Sequence, residues 1–215
     1  QIYKDAGLPD GVLNIVSCKR TEAEIFLTHP KVKGITFVGT TKAGKHIYSV
    51  AAAHGKRVQA LCEAKNHALV MYDAPIERTA AGIINAAYGC AGERCMALPV
   101  VVAHEKIADK LVEELLKQAK LIKVGPAYDK TSKLGPVVNP QHKERIEGYI
   151  AKGVEEGATL VLDGRNHVVE GFEKGFYLGP TIFDHVTEDM VIGKEEIFGP
   201  VLCVKRVKSF EEGLE

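Results

Sequence analysis

The residues best suited to chemistry lie in segment 88–98, where a cysteine directly follows an arginine among glycines and other small residues. The guanidinium of Arg94 carries a permanent positive charge and a planar fork of N–H donors. A positive charge beside Cys95 favours the thiolate, which is the nucleophilic form of cysteine, and small neighbours let a substrate approach the backbone. The same residues also fit a structural alternative, in which Cys95 is a small apolar core residue and Arg94 a surface charge.

A second segment, residues 39–45, lies between a predicted strand and a predicted helix. Its spacing nearly matches the phosphate-binding motif GxxxxGK[ST], but His46 stands where that motif needs a magnesium-binding hydroxyl, which disfavours an ATPase or a GTPase. A dinucleotide pyrophosphate needs only free N–H groups at the start of a helix, and this segment can supply them. A plain strand-to-helix turn has the same pattern, so the segment alone leaves both interpretations open.

A third segment, residues 194–200, combines carboxylates with an aromatic side chain just before a predicted strand. A carboxylate can accept hydrogen bonds from both hydroxyls of a ribose, and Glu196 is a candidate for that role. Phe198 lies two residues further, on the same side of an extended chain, and can pack on a flat ring. The alternative interpretation is a charged turn that leads into the strand.

The composition restricts the class of protein. The 215 residues include 28 basic and 28 acidic side chains, so the formal net charge is zero. This balance gives no indication of nucleic acid or an anionic membrane as a partner, and no apolar segment approaches the roughly 20 residues of a membrane span. The five cysteines are irregularly spaced and form no CxxC pair. We therefore expect neither a disulfide framework nor a metal site, and the pattern favours a reducing compartment.

A cysteine in a chain with eight histidines also suggests a papain-like hydrolase. Such an enzyme needs a base beside the thiol, and His54, His67 and His104 are candidates for it. No hydrolase signature surrounds Cys95, and nothing in the sequence selects one of these histidines. This class is therefore disfavoured.

Short apolar runs alternate with helix-forming segments along the chain, which is the pattern of an α/β sheet. The clearest helix covers residues 105–120, with apolar residues recurring every fourth position opposite a charged face. Asn139 and Pro140 are typical first residues of a helix, which we expect to continue to 156. Strands are predicted at residues 11–17, 33–38, 58–61, 68–71, 98–103, 158–162, 176–183 and 201–207.

Taken together and in order, these segments resemble the aldehyde dehydrogenase superfamily. The resemblance covers essentially the whole chain and depends on four runs, residues 37–44, 64–67, 92–97 and 195–200. Residues 54–61, the Ala-Lys-Asn-His run at 64–67 and the arginine before the cysteine narrow the resemblance to the CoA-acylating methylmalonate-semialdehyde dehydrogenases.

The resemblance implies a fold and a domain organisation. We expect an aldehyde dehydrogenase-like α/β fold, in which residues 1–60 are the C-terminal part of a Rossmann-type NAD-binding domain. Residues 61–215 are expected to form the α/β catalytic domain that carries the nucleophile. Both ends of the chain would then lie inside a longer protein, with other parts of the family fold outside this sequence.

The resemblance also assigns a role to each matching residue. Cys95 matches the nucleophile that forms a thiohemiacetal with the aldehyde and, after hydride transfer to NAD, a thioester. Arg94 matches the position that holds the substrate carboxylate, for which a bidentate fork is well suited. The residues implied for cofactor binding are Phe37, Gly39, Thr40, Gly44, Cys62, Glu196 and Phe198.

One position supports the CoA-acylating group. Hydrolytic members of the family carry a water-activating glutamate four residues before the lysine that matches Lys65, and here that position is Leu61. A thioester without such a base persists until a better nucleophile arrives, so we expect coenzyme A as co-substrate and NAD as cofactor. A hydrolytic enzyme with Glu63 as base is one alternative. A catalytically inactive fragment or interaction module is another.

The expected parent enzyme oxidises malonate or methylmalonate semialdehyde to an acyl-CoA with loss of carbon dioxide, in valine and inositol catabolism. The resemblance implies a homotetramer or homodimer, in the bacterial cytoplasm or in the mitochondrial matrix of a eukaryote. Three residues depart from the family pattern: Cys18 near the adenosine side, and Cys62 and Glu63 in place of small residues near the nicotinamide. Their side chains would narrow the nicotinamide pocket or repel the negatively charged cofactor.

Overall fold

The computed structural model describes all 215 residues. The helices are α1 (Ile2–Asp5), α2 (Arg20–Ala23), α3 (Ile25–Thr28), α4 (Thr41–Ala53), α5 (Ile76–Tyr88), α6 (Glu105–Lys120), α7 (Pro140–Glu155), α8 (Val191–Lys194) and α9 (Phe210–Leu214). The strands are β1 (Gly34–Val38), β2 (Arg57–Leu61), β3 (His67–Val70), β4 (Val100–His104), β5 (Thr159–Leu162), β6 (Thr181–Asp184) and β7 (Val201–Val207). A short turn with left-handed backbone at Cys90 and Ala91 spans Gly89–Gly92. None of the helices combines the length and the apolar character that crossing a bilayer requires.

The chain forms two compact units, Gln1–Glu63 and Ala64–Glu215. In the first unit, β1 and β2 pair in parallel, with Gly34 opposite Arg57 and Val38 opposite Leu61. Helix α4 connects the two strands in the chain. This strand–helix–strand arrangement places the loop between β1 and α4 at the carboxyl end of the strands, where α/β sheets bind ligands.

The second unit is built on a five-stranded sheet of order β3-β4-β7-β6-β5. Its strand pairs are parallel except for β5 with β6, which is antiparallel. Strand β4 is buried along its whole length and reads as a nearly unbroken apolar run, as expected for a parallel strand covered on both faces. The predicted α/β class is therefore confirmed.

The helical predictions for this unit are confirmed in detail. Ile107, Leu111 and Leu115 of α6 are buried, and its charged side chains lie on the opposite face. Helix α7 begins as predicted: the side chain of Asn139 accepts a hydrogen bond from the N–H of His142, and Pro140 occupies the first helical position. A proline there gives up only an N–H that would have no partner within the helix.

Two strand predictions fail. Residues 11–17 are not a strand but a turn and two bends at 11–13 followed by irregular backbone, with exposed apolar side chains that include Ile15 at 90%. An apolar run becomes a strand only when a neighbouring strand accepts its backbone hydrogen bonds, and β1 pairs with β2 alone. Segment 176–183 forms a strand only from Thr181, because the N–H of Gly179 is bound to the carbonyl of Gly164 and Pro180 has no N–H to donate.

Candidate active site

Cys95 lies in the connection between α5 and β4, with its side chain exposed. The connection is anchored where α5 ends, because the side chain of Tyr88 is fully buried and its hydroxyl donates to the carbonyl of Thr181 at 2.9 Å. Burial also raises the pKa of this phenol well above its ordinary value. The loop therefore starts from a fixed point in the core and not from a frayed helix end.

Three consecutive residues of this loop have left-handed backbone conformations: Cys90 (φ 52°), Ala91 (φ 55°) and Gly92 (φ 72°). This conformation is costly for cysteine and alanine, and it persists only where surrounding contacts enforce it. At Gly92, a Cβ atom would overlap the carbonyl of Gly199. The glycine thus allows the cysteine loop to touch the backbone of the Glu195–Gly199 segment directly.

Asn66 holds the turn that carries the cysteine. Its side-chain amide donates to the carbonyl of Cys95 at 2.9 Å and to the carbonyl of Ala97 at 2.8 Å. The N–H of Ala97 in turn donates to the carbonyl of Arg94 at 3.0 Å. Both amide hydrogens of Asn66 are used, so the backbone on either side of Met96 is fixed from one side chain.

Arg94 points back toward the end of α5. Its Nη2 donates to the carbonyls of Asn85 and Ala86 at 3.1 and 3.0 Å, which also accept from the backbone N–H groups of Gly89 and Leu98. Its Nε–H is buried and has no hydrogen-bond acceptor in the protein. A buried donor without a partner is costly, so this N–H is an unsatisfied polar group of the cysteine loop.

A small cavity of about 20 Å³ brings four predicted site residues together, since Arg94, Cys95, Glu196 and Phe198 all line it. Asn66 lines the same cavity. Arg94 and Cys95 precede Glu196 and Phe198 by about 100 positions in the sequence. The parallel sheet brings the two pairs together by placing β4 beside β7. The residues that line the cavity therefore include ones that carry a thiol, a guanidinium, a carboxylate and an aromatic ring.

The segment that carries Glu196 and Phe198 is held at several backbone points. The ammonium of Lys65 donates to the carbonyl of Glu195 at 2.6 Å, and burial lowers the pKa of this lysine below its usual range. Phe198 has a left-handed backbone (φ 59°) and a partly exposed ring. Helix α7 supplies further contacts to this segment through His142, Arg145 and Tyr149.

The sequence reasoning missed several residues of this region, namely Asn66, Glu93, His142, Arg145 and Tyr149. Asn66 could have been identified, because it belongs to the run 64–67 that carries the family resemblance. The other four residues could not, because their contacts join segments that are about 50 residues apart in the sequence. Local patterns carry no information on such pairings.

The remaining predicted cofactor residues lie in the first unit, at the loop between β1 and α4. Thr40 caps α4, its hydroxyl accepting from the N–H of Ala43 at 3.3 Å. The N–H of Gly39 donates to the carbonyl of Leu61, which joins the loop to the end of β2. A Cβ on Gly39 would overlap the ring of Phe37. These residues fit a dinucleotide, because a glycine-lined strand-to-helix loop presents free N–H groups to phosphate.

Cys62 packs against the same loop. A Cβ on Gly44 would overlap the sulfur of Cys62, so the first turn of α4 and the residue after β2 are in direct contact. Phe37 also lines an adjoining apolar cavity of about 330 Å³, together with side chains of α2, α3 and α4. Phe37, Gly39, Thr40, Gly44 and Cys62 are thus neighbours in one unit.

The three histidines considered for a hydrolase have other partners. His104 is buried and caps α6, with its Nδ1 accepting from the N–H of Lys106. His67 contacts the carbonyl of Lys65, and His54 the carbonyl of Val50. No histidine forms a hydrogen bond with the thiol of Cys95, so the geometry gives no support to a cysteine–histidine dyad.

Comparison with known sequences agrees with the resemblance. The model of the aldehyde dehydrogenase family matches residues 1–215. A malonate-semialdehyde dehydrogenase of Oceanobacillus iheyensis is 49% identical over 214 residues, and one of Geobacillus thermodenitrificans is 52% identical over 216. Both matches cover the whole of this chain and 44% of the relative, so the chain spans less than half the length of these curated relatives.

Solved structures show the same fold. The methylmalonate-semialdehyde dehydrogenase of Oceanimonas doudoroffii matches with a TM-score of 0.94 at 44% identity, over 98% of this chain and 43% of that one. An aldehyde dehydrogenase of Mycobacterium tuberculosis, complexed with NAD⁺, matches with a TM-score of 0.93 at 30% identity, over 99% and 44% of the two chains. The agreement along the full length, in sequence and in fold, shows that this chain belongs to the aldehyde dehydrogenase family.

Proposed function

We propose that this chain is the nucleophile-bearing part of an NAD-dependent, CoA-acylating dehydrogenase for malonate or methylmalonate semialdehyde. The observation that carries the proposal is the cavity that Cys95 and Arg94 both line. The carboxylate of a semialdehyde is an acceptor of the right charge for the guanidinium of Arg94. The names of the relatives at about 50% identity, malonate-semialdehyde dehydrogenases, agree with this substrate class.

The chemistry begins at Cys95. Its thiolate adds to the aldehyde carbon, and the carbonyl oxygen takes a proton to complete a thiohemiacetal. Asn66 keeps the cysteine turn in place during the attack, because it is bound to the carbonyls on both sides of Met96. Arg94 orients the substrate by its carboxylate, so that the aldehyde end is presented to the sulfur.

When bound, NAD would supply the acceptor for the hydride of the thiohemiacetal carbon. With the hydroxyl proton released to solvent, Cys95 would then carry a thioester. The residues of this chain that would hold NAD are Phe37, Gly39, Thr40, Gly44 and Cys62 in the first unit, and Glu196 and Phe198 in the second. The start of α4 suits a pyrophosphate, the carboxylate of Glu196 suits ribose hydroxyls, and the ring of Phe198 suits a flat heterocycle.

Release of the product by water would need a base, and position 61, where hydrolytic members carry a glutamate, is a leucine. The thiol of coenzyme A attacks the thioester carbon, its proton is taken up by the departing thiolate of Cys95, and the acyl group moves to coenzyme A. The carboxylate leaves as carbon dioxide from the carbon next to the thioester carbonyl, which accepts the electron pair as an enolate, and that carbon then takes a proton from solvent. One semialdehyde, one NAD⁺ and one coenzyme A thus give one acyl-CoA, one carbon dioxide and one NADH.

The test is NADH formation by the full-length protein supplied with malonate semialdehyde and NAD, with and without coenzyme A. The proposal expects turnover that requires coenzyme A and yields acetyl-CoA. Turnover without coenzyme A, with a free acid as product, would instead support hydrolysis with Glu63 as base. Absence of turnover under both conditions, in protein shown to be folded, would support an inactive relative.

A further inference from the structure

One face of helix α7 is bound to the backbone of segment 195–199. Arg145 donates to the carbonyls of Ile197 and Glu196 at 3.3 and 3.2 Å, and its guanidinium also packs over the ring of Tyr149. The hydroxyl of Tyr149 donates to the carboxylate of Glu195 at 2.6 Å. Because residues three and four positions apart share a face of a helix, these contacts form one continuous row with His142.

His142 differs from the others in the row because it contacts two loops. Its Nε2 lies 2.6 Å from the carbonyl of Phe198 and 3.2 Å from the carboxylate of Glu93. A carbonyl oxygen can only accept, so Nε2 must carry the proton and donate. A single N–H group therefore joins segment 195–199, through the carbonyl of Phe198, to Glu93, which precedes Cys95 by two residues.

Glu93 is well placed to complete this bridge. Its carboxylate also accepts from the N–H of Val138 at 3.2 Å, just before the start of α7. The side chains of His142 and Glu93 are only 13% and 15% exposed, so water competes little for their contact. Burial raises the pKa of Glu93 above its usual range, as expected for a carboxylate that is partly shielded from solvent.

Both loops need such support, because each contains strained backbone. Phe198 has a φ of 59°, and Cys90 and Ala91 have φ values of 52° and 55°. The loops also meet where Gly92 lies against the carbonyl of Gly199. Residues in these conformations remain in place only when neighbouring contacts enforce them.

We propose that His142 is a positioning residue. Through Glu93 and the carbonyl of Phe198, it holds the Cys95 loop (89–98) and segment 195–200 in a fixed relative position, an arrangement that we call the lock. The inference rests on the proposed function only in taking Cys95 as the nucleophile. The lock fixes the aromatic ring relative to the thiol, as a two-electron transfer between a thiol-bound carbon and a flat cofactor requires.

The test is hydrogen exchange followed by mass spectrometry on the full-length protein, which needs neither substrate nor cofactor. In His142→Ala we expect amide exchange to speed up about fivefold or more in both segments, 89–98 and 195–200, because both lose the same donor. His142→Gln, which keeps an N–H donor at a similar reach, should restore most of the protection. Glu144→Ala is the matched control, since Glu144 is exposed on the same helix and makes none of these contacts.

Glu93→Ala probes the bridge from its other end and should loosen segment 195–200 as well as its own loop. Exchange in α6 reports on the fold as a whole and should stay unchanged in every variant. If His142→Ala loosens only segment 195–200, or if His142→Gln behaves like alanine, the lock is contradicted. These readouts are independent of NADH formation, so failure of the lock and failure of the proposed function are distinguishable.

Discussion

The side-chain amide of Asn66 donates to the carbonyl of Cys95 at 2.9 Å, across 29 positions of sequence. The second amide hydrogen reaches the carbonyl of Ala97. Asn66 thus stands just before β3 and fixes a turn that ends just before the neighbouring strand β4. The pairing of two parallel strands is what brings this amide to Cys95.

Asn66→Asp keeps the shape of the side chain but replaces the two donated hydrogens by a carboxylate facing two carbonyls. We expect a loss of about 2 kcal/mol in the free energy of unfolding, since both hydrogen bonds are lost and repulsion replaces them. Thermal or urea unfolding measures this. Asn166→Asp is the control, because Asn166 is exposed and its left-handed backbone suits aspartate equally well. Equal stability of the two variants would contradict a role of Asn66 in holding the turn.

Gly92→Ala tests the contact between the two loops. The new Cβ would overlap the carbonyl of Gly199 in a residue whose φ is 72°, so we expect a loss of about 3 kcal/mol or more in unfolding free energy. Gly82→Ala in the exposed part of α5 meets no atom within 4 Å. That control should gain about 0.5–1 kcal/mol, because alanine is the better helix former. Matching effects of the two substitutions would refute the close contact.

Arg94→Gln distinguishes substrate binding from helix capping. In the full-length protein we expect the KM for malonate semialdehyde to rise at least about tenfold, as a charge-assisted hydrogen bond is lost. Propanal lacks the carboxylate, so its kcat/KM should fall much less. Arg78→Gln, at an exposed site on α5, is the control and should alter neither. An equal fall in kcat/KM for both aldehydes would mean that Arg94 only caps α5.

The raised pKa of Glu93 predicts that the free energy of unfolding depends on pH. Its folded pKa lies above the ordinary value of 4.5 because of burial. Its contribution to stability is therefore fully present below about pH 4.5 and is lost as the pH rises through the raised folded pKa. Urea unfolding of the wild type and of Glu93→Gln over pH 4–7 should show the wild type losing stability relative to the variant as the pH increases. Parallel curves would contradict the raised pKa.

Much of the fold could be predicted because it depends on local sequence. The periodic apolar face of α6 and the Asn139–Pro140 start of α7 need no information from other segments. The failure at residues 11–17 has the opposite cause, since an apolar run of this kind has the right composition for a strand but forms one only beside a partner.

The candidate site also has a part that local sequence predicts and a part that it does not. Cys95 and Arg94 could be predicted because they are adjacent, and Glu196 and Phe198 because they lie two positions apart. The bridge from Glu93 to His142 was not, because it depends on how α7 packs beside the cysteine loop. The left-handed backbone of Cys90 could not be predicted either, since glycine, and not cysteine, is the usual sign of that conformation.

The central claim is that the acyl group passes through Cys95. The most direct measurement is peptide mass spectrometry of the full-length protein after acid quenching of a reaction with semialdehyde and NAD but without coenzyme A. We predict an acyl group on the peptide thioester at Cys95, its disappearance when coenzyme A is added, and its absence in Cys95→Ala but not in Cys90→Ala. An acyl group on another cysteine, or NADH formation that survives Cys95→Ala, would contradict the account.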